Sequence, residues 1–231
     1  MAVMTPIRQR AVKPSPAKQV IPPLENGDRL TQIEFHRRYL SMPQIKKAEL
    51  VEGIVHMPSP IRRSHASAHA AVMGALIVYA AATPGVEAGD NATILLDADN
   101  EVQPDALLRL AAGGASIVSV NDYIQGPPEL VIEIAGTSAA YDLYAKKHVY
   151  RRSGVQEYAI WVLYETDLLW FRLVEGEYVQ VQPDENGVIR SASFPGLWID
   201  VPALLAGDLS AVLQTVQRGL ADESHAAFVR A

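Results

Sequence analysis

Gly126-Pro-Pro-Glu-Leu-Val-Ile-Glu-Ile-Ala135, continued through Tyr141-Asp-Leu-Tyr-Ala-Lys-Lys147 to Glu157-Tyr-Ala-Ile-Trp161, is the stretch that decides how this chain folds. Its first part, Leu130 to Ala135, is an apolar run bounded by Pro-Pro on one side and Gly136 on the other. Such a run predicts a strand buried on both faces. Glu133 stands in the middle of it. A carboxylate withdrawn from water in such a place costs on the order of several kcal/mol unless a cation or good donors meet it. The sequence therefore calls for a partner to Glu133, and a bound metal ion is the expected one.

Working outward, a second acid, Asp105, opens another short apolar run in Glu101-Val-Gln-Pro-Asp-Ala-Leu-Leu108. Downstream, Asp142, Lys146 and Tyr150 follow at i, i+4 spacing and share one face of an expected helix. That helix should end near Gly154, where glycine accepts a left-handed cap. Two carboxylates on two strands can hold a hard divalent cation, and an ammonium on the next helix can position water or offset charge developing at phosphorus. In this order they are the parts of a metal-dependent phosphodiesterase. Each alone has a plainer reading: Pro-Asp is an ordinary turn dipeptide, Glu133 could face solvent from an edge strand, and Lys146 could be a solvated helix charge. The ordered trio is what favours chemistry.

Around these residues stand Ala48-Glu-Leu-Val-Glu-Gly-Ile-Val-His-Met-Pro-Ser-Pro60, a helix carrying His69, Pro104-Asp105, Tyr141-Asp-Leu143 and Tyr150-Arg-Arg-Ser-Gly-Val-Gln-Glu-Tyr158. Their order, from roughly Leu30 to Val201, resembles the Uma-type restriction endonuclease family of the PD-(D/E)XK nuclease superfamily. The resemblance implies an α/β fold, a mixed sheet with a restriction-endonuclease-like αβββαβ core, flanked by an N-terminal helix and hairpin and by a C-terminal hairpin and helix. It also implies an Mg²⁺-dependent (or Mn²⁺-dependent) DNA endonuclease in which Asp105, Glu133 and the backbone carbonyl of Ile134 bind the metal, and Lys146 orients the attacking water. Glu49 occupies the position of the family's hairpin acid, as an additional ligand or water-orienting group, or else as an exposed carboxylate. His69 matches the family's histidine, or is a satisfied structural one, while His65 has no clear match. Tyr150 either orients Lys146 or the phosphate, or is a core tyrosine. The chain departs from the superfamily pattern at Ala135, where a lysine is usual, so that role passes to Lys146. It departs again at Gly136 and Thr137, which leaves any hydroxyl contribution from Thr137 or Ser138 open. Two other functions stay in view: a nuclease-fold binding protein with little or no cleavage, and a metal-dependent hydrolase of a smaller phosphodiester.

With 231 residues, 49% of them hydrophobic, the chain can bury a sizeable core and suits one domain with extensions. Its net charge is −6. Contact with DNA must then come from local patches rather than the overall field. Arg62, Arg63, Lys146, Lys147, Arg151 and Arg152 are the candidates, or are simply solvated charges. The absence of cysteine excludes disulfides and thiolate metal sites. The longest apolar run, Ala70 to Ala82, is shorter than the ~20 residues of a membrane span, so no membrane partner is expected and the chain reads as cytoplasmic. A homodimer is expected, because cutting both strands of a duplex calls for two sites.

Residues 1–23, basic and proline-rich, read as a disordered tail, and residues 24–231 as a single domain with a C-terminal helical extension. A short helix capped at Asp28 or Thr31 should follow the tail. Next come a hairpin over Lys47 to Met57 turning at Glu52-Gly53, a core helix from Ser64 to Ala82, and strands at Val86 to Gly89 and Thr93 to Leu96. A turn at Asp97 to Asn100 leads into one segment from Val102 to Leu110. After the central strand and the Lys146 helix, strands are expected over Glu157 to Leu163, Leu168 to Val174 and Tyr178 to Val181. The last expected element is a helix from about Leu209 to Leu220.

Overall fold

The computed structural model describes residues 21–58, 60–136 and 139–230. Most of the expected tail, and Thr137 and Ser138, lie outside the described residues. The first helix, α1 (Gln32–Leu40), is capped by Thr31, whose side chain accepts from the Glu34 N–H. Strands β1 (Glu49–Val51) and β2 (Ile54–His56) form the expected hairpin, and Glu52 and Gly53 both take positive φ at its turn.

The core helix α2 (Arg63–Ala81) has no capping side chain and no helpful charge in its first or last turn. What holds it is a buried stripe of Ala68, Val72, Ala75, Leu76 and Tyr79, spaced for one helix face. Each large apolar side chain on such a stripe is worth about 1.5–3 kcal/mol of burial.

Strands β3 (Val86–Asp90), β4 (Ile94–Asp97), β5 (Asn100–Val102), β6 (Ala106–Leu110), β7 (Ile117–Val118), β8 (Ile124–Gln125) and β9 (Leu130–Ala135) follow. A short helix α3 (Ala139–Tyr141) runs into a π-helical turn, Asp142–Lys146, and then into α4 (Lys147–Ser153). Gly154 ends α4 at φ +91°, the left-handed cap expected of it. Then come β10 (Glu157–Val162), β11 (Asp167–Val174), β12 (Glu177–Val181), β13 (Val188–Arg190) and β14 (Trp198–Asp200). Helices α5 (Val201–Ala206), α6 (Leu209–Leu220) and α7 (Glu223–Arg230) complete the described chain.

The strands form two six-stranded sheets and a separate β13–β14 pair. The main sheet runs β12-β11-β10-β9-β6-β3, with β9 and β10 parallel and joined through α4. Helix α2, strands β3, β6 and β9, helix α4 and strand β10 are the αβββαβ core. The second sheet runs β2-β1-β5-β4-β8-β7. Alternation along β9 divides the interior. Leu130, Ile132 and Ile134 pack with α2, whereas Val131 and Ala135 pack with Val149 and Tyr150 of α4 and with Val51, Ile94 and Val102 of the second sheet. Glu133 shares the parity of Val131 and Ala135, so it lies where the second sheet closes over the main one.

The structure corrects the reading of Val102 to Leu110 as one segment. The chain leaves the second sheet after Val102 and enters the main sheet at Ala106. Pro104 has no N–H to give a ladder, and the Gln103 N–H is taken by the Glu49 carboxylate at 2.7 Å. Asp105 emerges from this crossing. The helix expected through Asp142, Lys146 and Tyr150 is likewise not α-helical throughout, because its first turn is a π-turn with wider hydrogen-bonded loops.

At the other end of the core, α6 packs on the 194–198 turn backbone to backbone. A Cβ on Gly219 would stand 2.1 Å from the Gly196 carbonyl oxygen and 2.8 Å from Trp198 Cγ. Alanine normally gains about 1 kcal/mol over glycine inside a helix. Here the clash is with backbone and should win. Gly219→Ala is predicted to destabilise the fold by about 3 kcal/mol, read as a lower urea midpoint, and an unchanged or higher midpoint would show that α6 is free to shift.

Candidate active site

Asp105 precedes β6 and Glu133 lies in the neighbouring strand β9. The β6–β9 ladder pairs Leu107 with Val131 and Ala106 with Ile132. One further step of that register sets Asp105 opposite Glu133. The Asp105 carboxylate accepts the Ile134 N–H on Oδ2 at 2.8 Å, which fixes it to the strand that carries Glu133. Both acids are buried.

The partner that Glu133 requires is supplied by the protein itself rather than by a bound metal alone. Lys146 Nζ lies 2.5 Å from Glu133 Oε1, and the Tyr150 hydroxyl donates to the same oxygen at 2.8 Å. Lys146 is 2% exposed. Its ammonium also donates to Glu49 of β1, at 2.9 Å to Oε1 and 3.2 Å to Oε2. Glu49 is thus buried, which corrects the alternative of an exposed hairpin carboxylate. The π-turn delivers both of its charged residues inward, as Asp142 and Lys146 are buried there. Tyr158 donates its hydroxyl to the Asp142 carbonyl at 3.0 Å and so anchors the turn to β10.

Two histidines of α2 reach Asp105, and they do so differently. His69 Nε2 lies 2.7 Å from the Asp105 backbone carbonyl oxygen and 3.1 Å from Asp90 Oδ1. His65, one turn earlier, places Nε2 3.3 Å from Asp105 Oδ2. Of the two, His65 is the one at the carboxylate, although the sequence singled out His69. Lys47, which sequence reasoning passed over, donates to Asp105 Oδ1 at 3.2 Å and to Asn91 Oδ1 at 3.0 Å. Neither had a signal in the sequence beyond proximity to a motif: His65 is one turn from His69, and Lys47 precedes the Glu49 segment.

The charges bias one another strongly. Burial pushes the Glu133 carboxyl up, to about 8, and the charges of Asp105, Asp142 and Glu49 add to the push while Lys146 opposes it. Burial alone would lower Lys146, yet Glu133, Glu49 and Asp142 hold it well above the usual lysine value. Burial would raise Asp105 too, but the His65 contact, the Lys47 charge and the Ile134 N–H outweigh it and hold the carboxyl well below the ordinary range. The result is a cationic Lys146, an ionised Asp105 and a Glu133 that resists ionisation. Among the described residues, no cluster of three or more His, Asp and Glu is arranged to hold a metal ion.

The expected basic candidates are divided, with two of them, Arg151 and Arg152, paired to acids. Lys146 is buried in the site, and Lys147 Nζ lies over the Phe171 ring, 3.5 Å from its centroid. Arg151 pairs with Glu177 at 2.8 Å, Arg152 with Asp97 at 3.4 Å, and Arg62 donates to the Tyr164 hydroxyl at 2.9 Å.

Fold and site together define a restriction-endonuclease-like protein. A solved structure described as a putative nuclease belonging to DUF820 from Anabaena variabilis has the same fold, with a TM-score of 0.60 and 14% identity, over 74% of this chain and 97% of that one. The family model described as Uma2, putative restriction endonuclease, matches residues 33–202, and the chain belongs to that family. Among curated proteins no match is found. No helix of the described residues is long and apolar enough to cross a membrane.

The raised Glu133 makes stability depend on pH in a definite direction. Between the ordinary value of 4.5 and about 8 the native state keeps a proton that the unfolded chain has released, so stability falls as pH rises through that window. Glu133→Gln keeps an acceptor for Tyr150 and cannot ionise. The stability of the wild type relative to Glu133→Gln should therefore decline from pH 4.5 to 8, measured by urea unfolding at several pH values. A difference that stays flat would place the retained proton elsewhere.

Proposed function

We propose that this chain is a metal-dependent endonuclease that hydrolyses phosphodiester bonds of DNA. One observation carries the reading: two buried carboxylates, Asp105 and Glu133, stand where the register of two adjacent strands brings them together, Asp105 held by the Ile134 N–H next to Glu133, with the buried ammonium of Lys146 on Glu133. Hard oxygen donors suit Mg²⁺ or Mn²⁺. Mg²⁺ is ordinarily held by one or two carboxylates, with water and substrate phosphate completing its shell, so this donor pair fits without a third acid. His65 Nδ1 and the Tyr141 hydroxyl are buried without a hydrogen-bond partner among the described residues, and Tyr141 feels the charges of Glu49, Lys146, Asp142 and Glu133. Such atoms beside a site suit water or phosphate oxygens.

Asp105 and Glu133, with the Ile134 carbonyl, would hold the ion. Bound there, it supplies Lewis acidity toward a phosphoryl oxygen and toward a water. Lys146, kept charged by its carboxylate neighbours, serves as donor and positive charge rather than as a base. It orients the attacking water and offsets charge developing at phosphorus. Glu49 fixes Lys146 from the second sheet, and Tyr150 fixes Glu133 from α4. Cleavage of both strands of a duplex calls for two such sites, which a two-fold pair would supply.

A second reading, a nuclease-fold binding protein, is favoured by one feature: Lys47 and Lys146 already occupy both carboxylates. Cleavage of plasmid and oligonucleotide DNA with Mg²⁺ or Mn²⁺ separates the two, and a smaller phosphodiester in the same assay tests for a narrower hydrolase. Lys146→Met should lower single-turnover cleavage by roughly 10²-fold or more without weakening Mn²⁺ binding, since ammonium does not ligate metal. Asp105→Asn should lose both. Wild-type turnover in Lys146→Met would remove the lysine from the chemistry, and wild-type protein that binds DNA but cleaves no phosphodiester would favour the second reading.

A further inference from the structure

Three groups satisfy the Asp105 carboxylate, and they differ in how easily they can leave. The Ile134 N–H belongs to the backbone of the central strand and His65 to a helix packed on the main sheet, and both meet Oδ2. Oδ1 is met by Lys47. Lys47 sits in the connection before β1, on a long flexible stem, and its side chain is 21% exposed. Its ammonium has a second acceptor away from the carboxylate, Asn91 Oδ1 at 3.0 Å. Asn91 is itself held at φ +50° just after β3, with its side-chain amide donating to Asp90 at 2.6 Å. Lys146 offers a contrast. It is 2% exposed and is held at once by Glu49 of the second sheet and Glu133 of the main sheet, so it cannot leave without giving up both charge partners.

The site therefore holds one cation that stays and one that can go. We propose that Lys47 is a displaceable internal counter-ion, which neutralises Asp105 Oδ1 while no divalent ion is bound and withdraws toward Asn91 when one binds. This rests on the metal site proposed above. An ion that takes Oδ1 as a ligand must remove the ammonium from it, because two cations cannot share that oxygen without strong repulsion. Lys47 thereby sets the divalent-ion concentration at which the site loads, and it keeps Asp105 from standing as an uncompensated buried charge before loading.

Mn²⁺ binding by calorimetry on the wild type, Lys47→Met, Lys47→Arg and Asp105→Asn tests this directly. Lys47→Met keeps the apolar stem and removes the competitor, so it should bind Mn²⁺ roughly tenfold more tightly. Lys47→Arg retains a competing cation and should stay close to wild type. A second measurement needs no variant: the rate of reductive methylation of Lys47 in the wild-type protein, followed by mass spectrometry, should rise severalfold when Mg²⁺ is added. If Asp105→Asn abolishes Mn²⁺ binding while Lys47→Met binds no tighter than wild type, or if calorimetry shows binding but methylation of Lys47 ignores the metal, the counter-ion role is wrong and the metal site stands. If neither wild type nor Lys47→Met binds Mn²⁺, the metal site falls and this proposal with it.

Discussion

The buried ammonium of Lys146 is the constraint on which the rest of this structure depends. It lies between Glu133 of the main sheet and Glu49 of the second sheet, with all three side chains withdrawn from water. Burying such charges costs several kcal/mol per ion before pairing, by order of magnitude, and leaving one unpaired is worse than never burying it. Neither sheet can then move from the other without exposing or orphaning a charge. The cluster locks the closure of the second sheet over α4 and also fixes where that closure happens. Apolar packing of Val51, Ile94 and Val102 against Val131 and Tyr150 supplies the bulk of the adhesion. The charges supply the register.

That arrangement explains why the chain changes sheets where it does. Glu49 has a second duty in accepting the Gln103 N–H, and it thereby satisfies a backbone donor at the break before Pro104. Asp105 follows at once and is pinned by Ile134. The acids at positions 49, 105 and 133 are thus tied through backbone N–H groups and one ammonium.

How much of this was legible in the sequence depends on where each signal resides. Leu130 to Ala135 was readable to the residue because Pro-Pro and Gly136 bound an apolar run, and α2 to within one residue because its apolar stripe outweighs its missing caps. Asp105, Glu133 and Lys146 stood out because two are acids in apolar runs and the third completes a spacing. What escaped has no local signature. Strands of two or three residues such as β7, β8, β13 and β14 show no period, and helices α5 and α7 are too short for one. The second sheet is built mainly from such pieces, so its existence is a tertiary fact. Lys47 and His65 escaped for the same reason: neither is anomalous until the fold brings it to Asp105. The π-turn escaped because it differs from an α-turn by one residue in its hydrogen-bonded loop, which the i, i+4 spacing does not disclose.

Moving the lysine from strand to helix has a physical consequence. A lysine at 135 would rise from the same strand face as Glu133, into the space that Val149 and Tyr150 now fill around Ala135. It would serve the main sheet alone. From the π-turn, Lys146 reaches Glu49 as well, so the same charge that would act on a phosphate also binds the two sheets. Charge balance then links the two parts of the proposed function. Glu49, Asp105, Glu133 and Asp142 outnumber Lys47 and Lys146 by four to two, which leaves the cluster net negative when all are ionised, and still negative if Glu133 keeps its proton. With the chain itself at −6, and with Arg151 and Arg152 paired to Glu177 and Asp97, these arginines add little positive field to draw a polyanion to this site. Under the proposed function a divalent ion must load first. The phosphate backbone approaches a site that a metal has already turned toward positive charge, and DNA binding and metal binding become one coupled event.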